Sequence, residues 1–435
     1  MIDAGTAGLG FLLMLGLMFL GLHVAVALFL IGILGAYLYL GMPIVDALGT
    51  QVWGNTDNFV LLAVPLFVLL GELLVQGGAT ERMYRALASW LNPLPGGLLH
   101  TNIGASALLA AVSGSSVATT ATIGTVALPT FAKRRYDNRL VLGSIAAGAT
   151  LGILIPPSIN MIIYGALTNT SVGRLYLAGF LPGALMALLF MVVIAVACHY
   201  RPQLAGEPEA GGNWRERLRG LVDLMPPVVI FLVVMGSIYA GWATPTESAA
   251  IGVIIALMLA AGYGNLSIAM LHRCFLTTVK LTGLIVFIVA AAFYLNFVIG
   301  ILGIPQSLSR FVAGIGTTPL MLIWVLVVFY LLMGCFLETL SMMVGTIPIV
   351  FPLVAALGID PVWFGIFLVV MCEMALITPP IGMNLYVVQG VRGGGDMGEV
   401  IQGVLPFLAM MMVLVVLLIA VPGLALWLPD LLFKY

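Results

Sequence analysis

Charge is what this chain has least of. Only 8% of its 435 residues are Asp, Glu, Lys or Arg, against about a quarter in a soluble domain, so a water-solvated globular fold is excluded. The net charge of -1 leaves no basic surface for nucleic acid. Cysteine is scarce as well: Cys198, Cys274, Cys335 and Cys372 are scattered, at no spacing that suits a redox pair or a zinc site, and read as packing residues. The first 20 residues lack a basic n-region and a small-residue cleavage site, so residues 8–20 read as a first span and not as a signal peptide. There is no Walker motif and no H-E-x-x-H. The eight aspartates fall at helix ends or in loops, where an intramembrane aspartyl protease would need an embedded pair, and His100 is the only histidine close in sequence to a serine cluster. Hydrolase chemistry is therefore poorly provided for.

What is abundant is apolar sequence. The chain is 62% hydrophobic with a mean hydropathy of +1.19. Runs of about 20 apolar residues recur along it, each able to cross the hydrocarbon core, and the period-2 alternation of a barrel is missing. The fold class is an all-α polytopic membrane protein, in contact with membrane lipid. Residues 8–40 are too long for one ordinary span and short for two, with His23 marking the break. Residues 46–58 read as a polar loop and 79–90 as an amphipathic interfacial arm. Residues 201–219 are the longest polar segment and read as a solvent loop between two halves. In the second half an amphipathic piece is expected at 266–278, then a separate span at 281–301.

Two stretches break the apolar pattern in a particular way. Residues 113–122 read Ser-Gly-Ser-Ser-Val-Ala-Thr-Thr-Ala-Thr, midway between Gly97 and Ala132, which suits a re-entrant hairpin whose tip stops inside the membrane. After a basic turn at Lys133, Arg134, Arg135 and Arg139, the next apolar run breaks at Pro156-Pro157. Irregular backbone survives at membrane depth only where it lines a protected cavity, and broken helices near the midplane are where transporters bind their cargo.

The pattern then repeats. The Pro-Pro breaks are 379 − 156 = 223 residues apart, and the same offset pairs Pro129 with Pro352, Asp137 with Asp360, and the tip residues Ser115 and Ser116 with Glu338 and Thr339. The turn equivalent to the basic one, Leu357-Gly358-Ile359-Asp360, has no basic residue. By the positive-inside rule the two turns face opposite sides, so the repeats are inverted. An inverted repeat without a charged ring disfavours a channel.

Hydroxyls, amide carbonyls and the carbonyls freed at a Pro-Pro break are neutral oxygens that can replace the hydration shell of a hard monovalent cation; calcium would want several carboxylates, and only Glu338 sits near a tip. Half-helix N-termini favour an anion in the same space. Sodium with a small organic anion fits this inventory. Each feature has a plainer reading: Ser and Thr also pack helix interfaces and bond back to their own backbone, Glu72 can pair with an arm arginine, and Glu247 can cap the helix after Thr244.

Ser-Gly-Ser-Ser-Val-Ala at 113–118, Ala-Thr-Ile-Gly at 121–124, Pro-Pro-Ser at 156–158, Thr-Pro-Thr-Glu-Ser-Ala-Ala at 244–250 and Thr-Pro-Pro-Ile-Gly-Met-Asn at 378–384 together resemble the large membrane subunit of TRAP (tripartite ATP-independent periplasmic) transporters. The likeness spans essentially the whole chain. One departure is His23 after Gly21-Leu22, where Gly-Val-Pro is expected; it bears on the first helix break and not on the site. The resemblance implies a bacterial inner-membrane location, a small four-helix membrane subunit, a periplasmic substrate-binding protein, co-transported sodium ions, and an elevator motion. A first sodium site would draw on Ser115, Ser116, Pro156, Ser158 and Asn160, and a second on Gly345, Thr346, Thr378, Gly382 and Met383. Ser113, Thr119, Glu338 and Asn384 would meet the substrate. Residues 1–95 and 221–315 would form the scaffold and arms, 96–200 and 316–435 the transport domain, and 201–220 a cytoplasmic loop. Smooth glycine faces at Gly32 and Gly35 would let the parts slide. The alternative is a stand-alone sodium–carboxylate symporter of related architecture, without a binding protein.

Overall fold

The computed structural model describes residues 3–206, 214–314 and 316–433, with the side chains of 4, 55, 110–113, 216 and 313 outside that description. The first half contains α1 (Ala4–Phe19), α2 (Val24–Leu40), the short α3 (Met42–Asp46) and α4 (Leu48–Thr56), α5 (Ala63–Gln76), α6 (Ala79–Leu91), α7 (Leu98–Ser113), α8 (Ser116–Lys133), α9 (Asn138–Leu154), α10 (Ile159–Thr168) and α11 (Val172–Tyr200). The second contains α12 (Trp214–Tyr239), α13 (Pro245–Gly262), α14 (Ile268–Ile301), α15 (Ile304–Gly314), α16 (Pro319–Gly334), α17 (Thr339–Ala356), α18 (Pro361–Ile377), α19 (Met383–Arg392), α20 (Met397–Ala420) and α21 (Gly423–Leu432). Among the described residues there is no strand, and seven helical segments are long and apolar enough to cross a membrane, or eight if the pair α5 and α6, bent by 68°, counts as one span.

The 223-residue offset reappears in the helix bounds. It carries α8 onto α17 and α9 onto α18 at both ends (339 − 116, 356 − 133, 361 − 138 and 377 − 154). The caps explain why the boundaries agree. Asp137 accepts the Leu140 amide at 3.0 Å, and its counterpart Asp360 accepts those of Val362 and Trp363 at 2.7 and 3.0 Å, so each discontinuous helix starts on an aspartate N-cap. Both Pro-Pro bonds are cis. Packing follows the same symmetry: α2 lies on α14 as α13 lies on α5.

Four sequence expectations are corrected. Residues 46–58 are not a polar loop, because α3 and α4 occupy most of them. The piece at 266–278 and the span at 281–301 are one 34-residue helix, α14. No Pro or Gly interrupts it at 279–281, and the polar Thr278 bonds back to Cys274 O at 2.8 Å, so the helix runs on. The second amphipathic arm is instead α15, which follows Gly303 (φ +70) as α6 follows Gly78 (φ +83). The loop at 201–219 is shortened by α12, which begins at Trp214. Gly32 and Gly35 are not a sliding face: a Cβ at Gly32 would lie 3.0 Å from the Tyr294 ring, and one at Gly35 3.7 Å from Val298, both on α14. These glycines lock α2 to α14 by close approach.

The centre of the molecule is the two discontinuous helices. The segment 138–168 is almost wholly buried within the chain, whereas most residues of α11 are exposed or half-buried. Orientation gives a first prediction. Single cysteines at Asn138 and Ala356, both exposed, in a background lacking the four native ones, should label from opposite faces of the membrane. Labelling from one face would contradict the inversion. Ala356 serves better than Gly358, whose φ of +68 would strain a side chain.

Candidate ion and substrate site

Each hairpin ends in a capped turn. Ser115 accepts the Ala118 amide at 3.4 Å to start α8, and its counterpart Glu338 accepts both the amide and hydroxyl of Ser341, at 2.9 and 2.8 Å, to start α17. Each tip also touches the nearest Pro-Pro break. A Cβ on Gly114 (φ +60) would lie 3.0 Å from Pro157 O, and Cys335 Sγ donates to Pro379 O at 3.2 Å. Glycine permits both seatings. A Cβ on Gly152 of α9 would meet the Ser116 amide at 3.1 Å, and one on Gly334 of α16 would meet Ala375 Cβ at 2.7 Å.

These four segments converge on one cavity of about 620 Å³, within the size range of small-molecule sites. Of the sequence candidates, Ser115, Ser116, Asn160, Glu338, Gly382 and Met383 line it. Pro156, Ser158, Thr119, Gly345, Thr346, Thr378 and Asn384 do not line it, and the side chain of Ser113 lies outside the described residues. Several of the latter are engaged elsewhere. Ser158 caps α10 through the Met161 amide (3.4 Å), Thr346 donates to Met342 O (2.7 Å) beside Tyr330 OH (2.9 Å), and Thr378 donates to Met374 O (2.7 Å). Asn384 reaches across to Ala146 O on α9 at 3.1 Å.

Some polar atoms of the residues that line the cavity are left over. The Ser116 hydroxyl is buried without a hydrogen-bond partner, and so is Nδ2 of Asn160. Amide oxygen and nitrogen exchange places by a flip, so Asn160 can equally present its carbonyl oxygen. Orphaned buried groups are costly, and a bound ion or its water would satisfy them. Among the described residues no three His, Cys, Asp or Glu gather into a metal cage, and the cavity is lined by the polar side chains of Ser115, Ser116, Ser341 and Asn160 together with the carboxyl groups of Glu72 and Glu338.

Two cavity residues were weighed differently from the sequence. His23, expected to matter only for the first helix break, lines the cavity as well as capping α2 through Nδ1, which accepts the Ala25 amide at 3.3 Å. Glu72 lines it too, while the arm arginine Arg82 lies 3.7 Å from Asp223 and over the Tyr263 ring. The signal for Glu72 was its isolation in an apolar helix, where a lone acid is functional by default. Glu247 takes its plainer reading. It forms a capping box with Thr244, accepting the Thr244 amide at 2.8 Å, and Thr246 ties the helix start to Phe59 O at 2.8 Å.

Known proteins resemble this chain over most of its length. Residues 11–424 match the family described as "Tripartite ATP-independent periplasmic transporter, DctM component". A C4-dicarboxylate TRAP transporter large permease protein of Pseudomonas aeruginosa is 35% identical, over 89% of this chain and 90% of its own. A sialic acid TRAP transporter large permease protein of Vibrio cholerae is 33% identical, over 97% and 98%. Among solved structures the Alcanivorax borkumensis YdaH transporter superposes with a TM-score of 0.64 at 17% identity, over 88% of this chain and 90% of that one, a likeness of fold.

Proposed function

The chain belongs to the DctM-component family of tripartite ATP-independent periplasmic transporters, and on that footing we propose that it carries a small organic anion inward by sodium-coupled elevator transport. It is the permease of the system, a multi-span inner-membrane protein and not an enzyme. A periplasmic binding protein delivers the solute and a small membrane subunit enlarges the scaffold. A carboxylate is the favoured solute class, since relatives are named for C4-dicarboxylates and for sialic acid.

The observation that carries this reading is the shared cavity. Both hairpin tips and both broken-helix segments line it from one side, and α1, α2, α5 and α14 from the other. A unit made of 96–200 and 316–435 can therefore take the cavity past helices of 1–95 and 221–315. Ser115, Ser116 and Asn160, with carbonyls of the Pro156–Ser158 break, supply one sodium site. Glu338, Gly382 and Met383, backed by Gly345, Thr346 and Thr378, supply the second half of the ion and substrate cavity. In this reading Ser113, at the end of α7, and Thr119 and Asn384, buried behind the lining, back the substrate side.

The reading is tested by sodium titration of solute uptake in the reconstituted complex. Uptake needs a sodium gradient and no ATP. Ser116→Ala removes an uncompensated ligand and should cost about 1–3 kcal/mol, which is roughly 5- to 150-fold in half-saturating sodium. Thr378→Ala should cost less, because its hydroxyl is already bonded to Met374 O. Equal uptake in potassium, or an unchanged sodium dependence in Ser116→Ala, would remove the ion assignment.

A further inference from the structure

One ionisable group lies deeper than the cavity, and neither sodium nor substrate accounts for it. Glu373, on α18, has no exposed surface. Its Oε1 accepts the Ile153 amide of α9 at 2.9 Å, and its Oε2 has no hydrogen-bond partner. The hydroxyl of Thr150, itself fully buried, and the Leu154 amide also lie beside the carboxyl group. Thr150 and Glu373 are related by the repeat (373 − 150 = 223), so the two discontinuous helices meet at this pair.

A carboxylate in such a place needs a counter-charge or a proton. Among the described residues no counter-charge faces it. The helices packed against α18 are α9, α10, α11, α16, α17, α19, α20 and α21. Of these, α10, α16 and α17 contain no Lys, Arg or His within their bounds. Arg139 stands in the first turn of α9, fourteen residues before Ile153, which is roughly 21 Å along the helix. Arg174 pairs with Asp430 at 2.9 Å and Arg392 with Glu399, while His199 is in the last turn of α11. The acids nearby in the fold, Glu338 and Asp360, cap helices and would oppose a second negative charge. The remaining titratable neighbours are neutral: Cys372 directs its thiol at Thr339 O, and Tyr330 bonds Thr346, with Tyr164 and Tyr176 on α10 and α11.

We propose that Glu373 is a proton-binding site at the centre of the chain, held as the neutral acid, with its proton exchanged through the cavity. The route is short: Ile153, which donates to Oε1, lines the cavity, as do Ala375 and Leu376, two and three residues beyond Glu373. The sodium reading is not needed for this site, and the two can fail separately.

Infrared spectroscopy of the purified full chain in lipid nanodiscs at neutral pH tests it. The wild type should show the C=O stretch of one protonated carboxylic acid that is missing from Glu373→Gln, and transfer to deuterium oxide should shift that band. The amide is isosteric with the protonated acid, so Glu373→Gln should fold and should keep within twofold the half-saturating sodium that protects a cysteine at Val117. Glu373→Met, apolar and of similar volume, gives the same missing band if the glutamine variant does not fold. Loss of carboxylate stretches in place of the acid band would overturn the proposal. So would a tenfold or larger rise in half-saturating sodium for Glu373→Gln, since Glu373 would then be a sodium ligand. A wild type indifferent to sodium would sink the coupling assignment and leave the acid band to decide this one.

Discussion

Gly143→Leu should yield no folded protein. A Cβ at Gly143 would lie 2.0 Å from Gly403 O, and one at Gly403 would lie 2.0 Å from Arg139 O, so α9 and α20 cross backbone to backbone. Small residues allow such crossings in membranes, where packing, not water exclusion, holds helices together. Overpacking usually costs about 1–3 kcal/mol because side chains can yield. Here the obstacle is a carbonyl, and relief requires the two helices to separate. That would dislodge α9, which supports the first tip through Gly152 and the first break through Ile155. Fluorescence-detected size-exclusion chromatography should lose the monodisperse peak. Gly283→Leu on α14 is the control, because a Cβ there meets nothing within 4 Å. A Gly143→Leu variant that elutes and melts like the wild type would contradict this packing.

Bridging α1 to α17 should stop transport completely. Gly345 of α17 faces α1: a Cβ there would lie 3.9 Å from Met14 Cε and 4.0 Å from Met18 Sδ. If α17 belongs to a unit that slides past α1, this contact must break in every cycle. Cysteines at Met18 and Gly345, in a background without Cys198, Cys274, Cys335 and Cys372, can be bridged by mercuric ion. Uptake by the reconstituted complex should fall to background on bridging and recover to its pre-treatment rate when excess thiol removes the metal. An undiminished rate in the bridged protein would favour gating by the hairpins alone. A bridge inside the transport unit is not equivalent. Ala147, for example, is fully buried on α9, which packs against α7, α8, α10, α11, α18, α19 and α20, and would not report sliding.

The hairpins and broken helices were legible in the sequence because backbone chemistry marks them. Pro-Pro, the aspartate caps and the tip residues sit at positions that few other residues can fill, so the 223-residue offset survives divergence of everything between. The short helices α3 and α4 and the arm α15 were less visible, since their polar residues resemble those of a loop and their length carries too little periodicity to decide. Side-chain direction was the other limit. Thr346 and Thr378 lie at the expected places in the chain, yet their hydroxyls turn back onto carbonyls four residues earlier. His23 and Glu72 join the cavity through helix packing across 40 residues or more, which local pattern does not encode.

The central claim is that both hairpin tips close one sodium-dependent cavity, and paired accessibility measures it most directly. Val117 and Leu340 are repeat partners (340 − 117 = 223), both line the cavity, and neither is a proposed ligand. A cysteine at each, in separate cysteine-free chains, is labelled with a membrane-impermeant maleimide while sodium is titrated. Labelling at both positions should fall together, with the same half-saturating sodium, and potassium should have no effect. Protection of one tip without the other, or equal protection by potassium, would contradict a shared sodium-closed cavity.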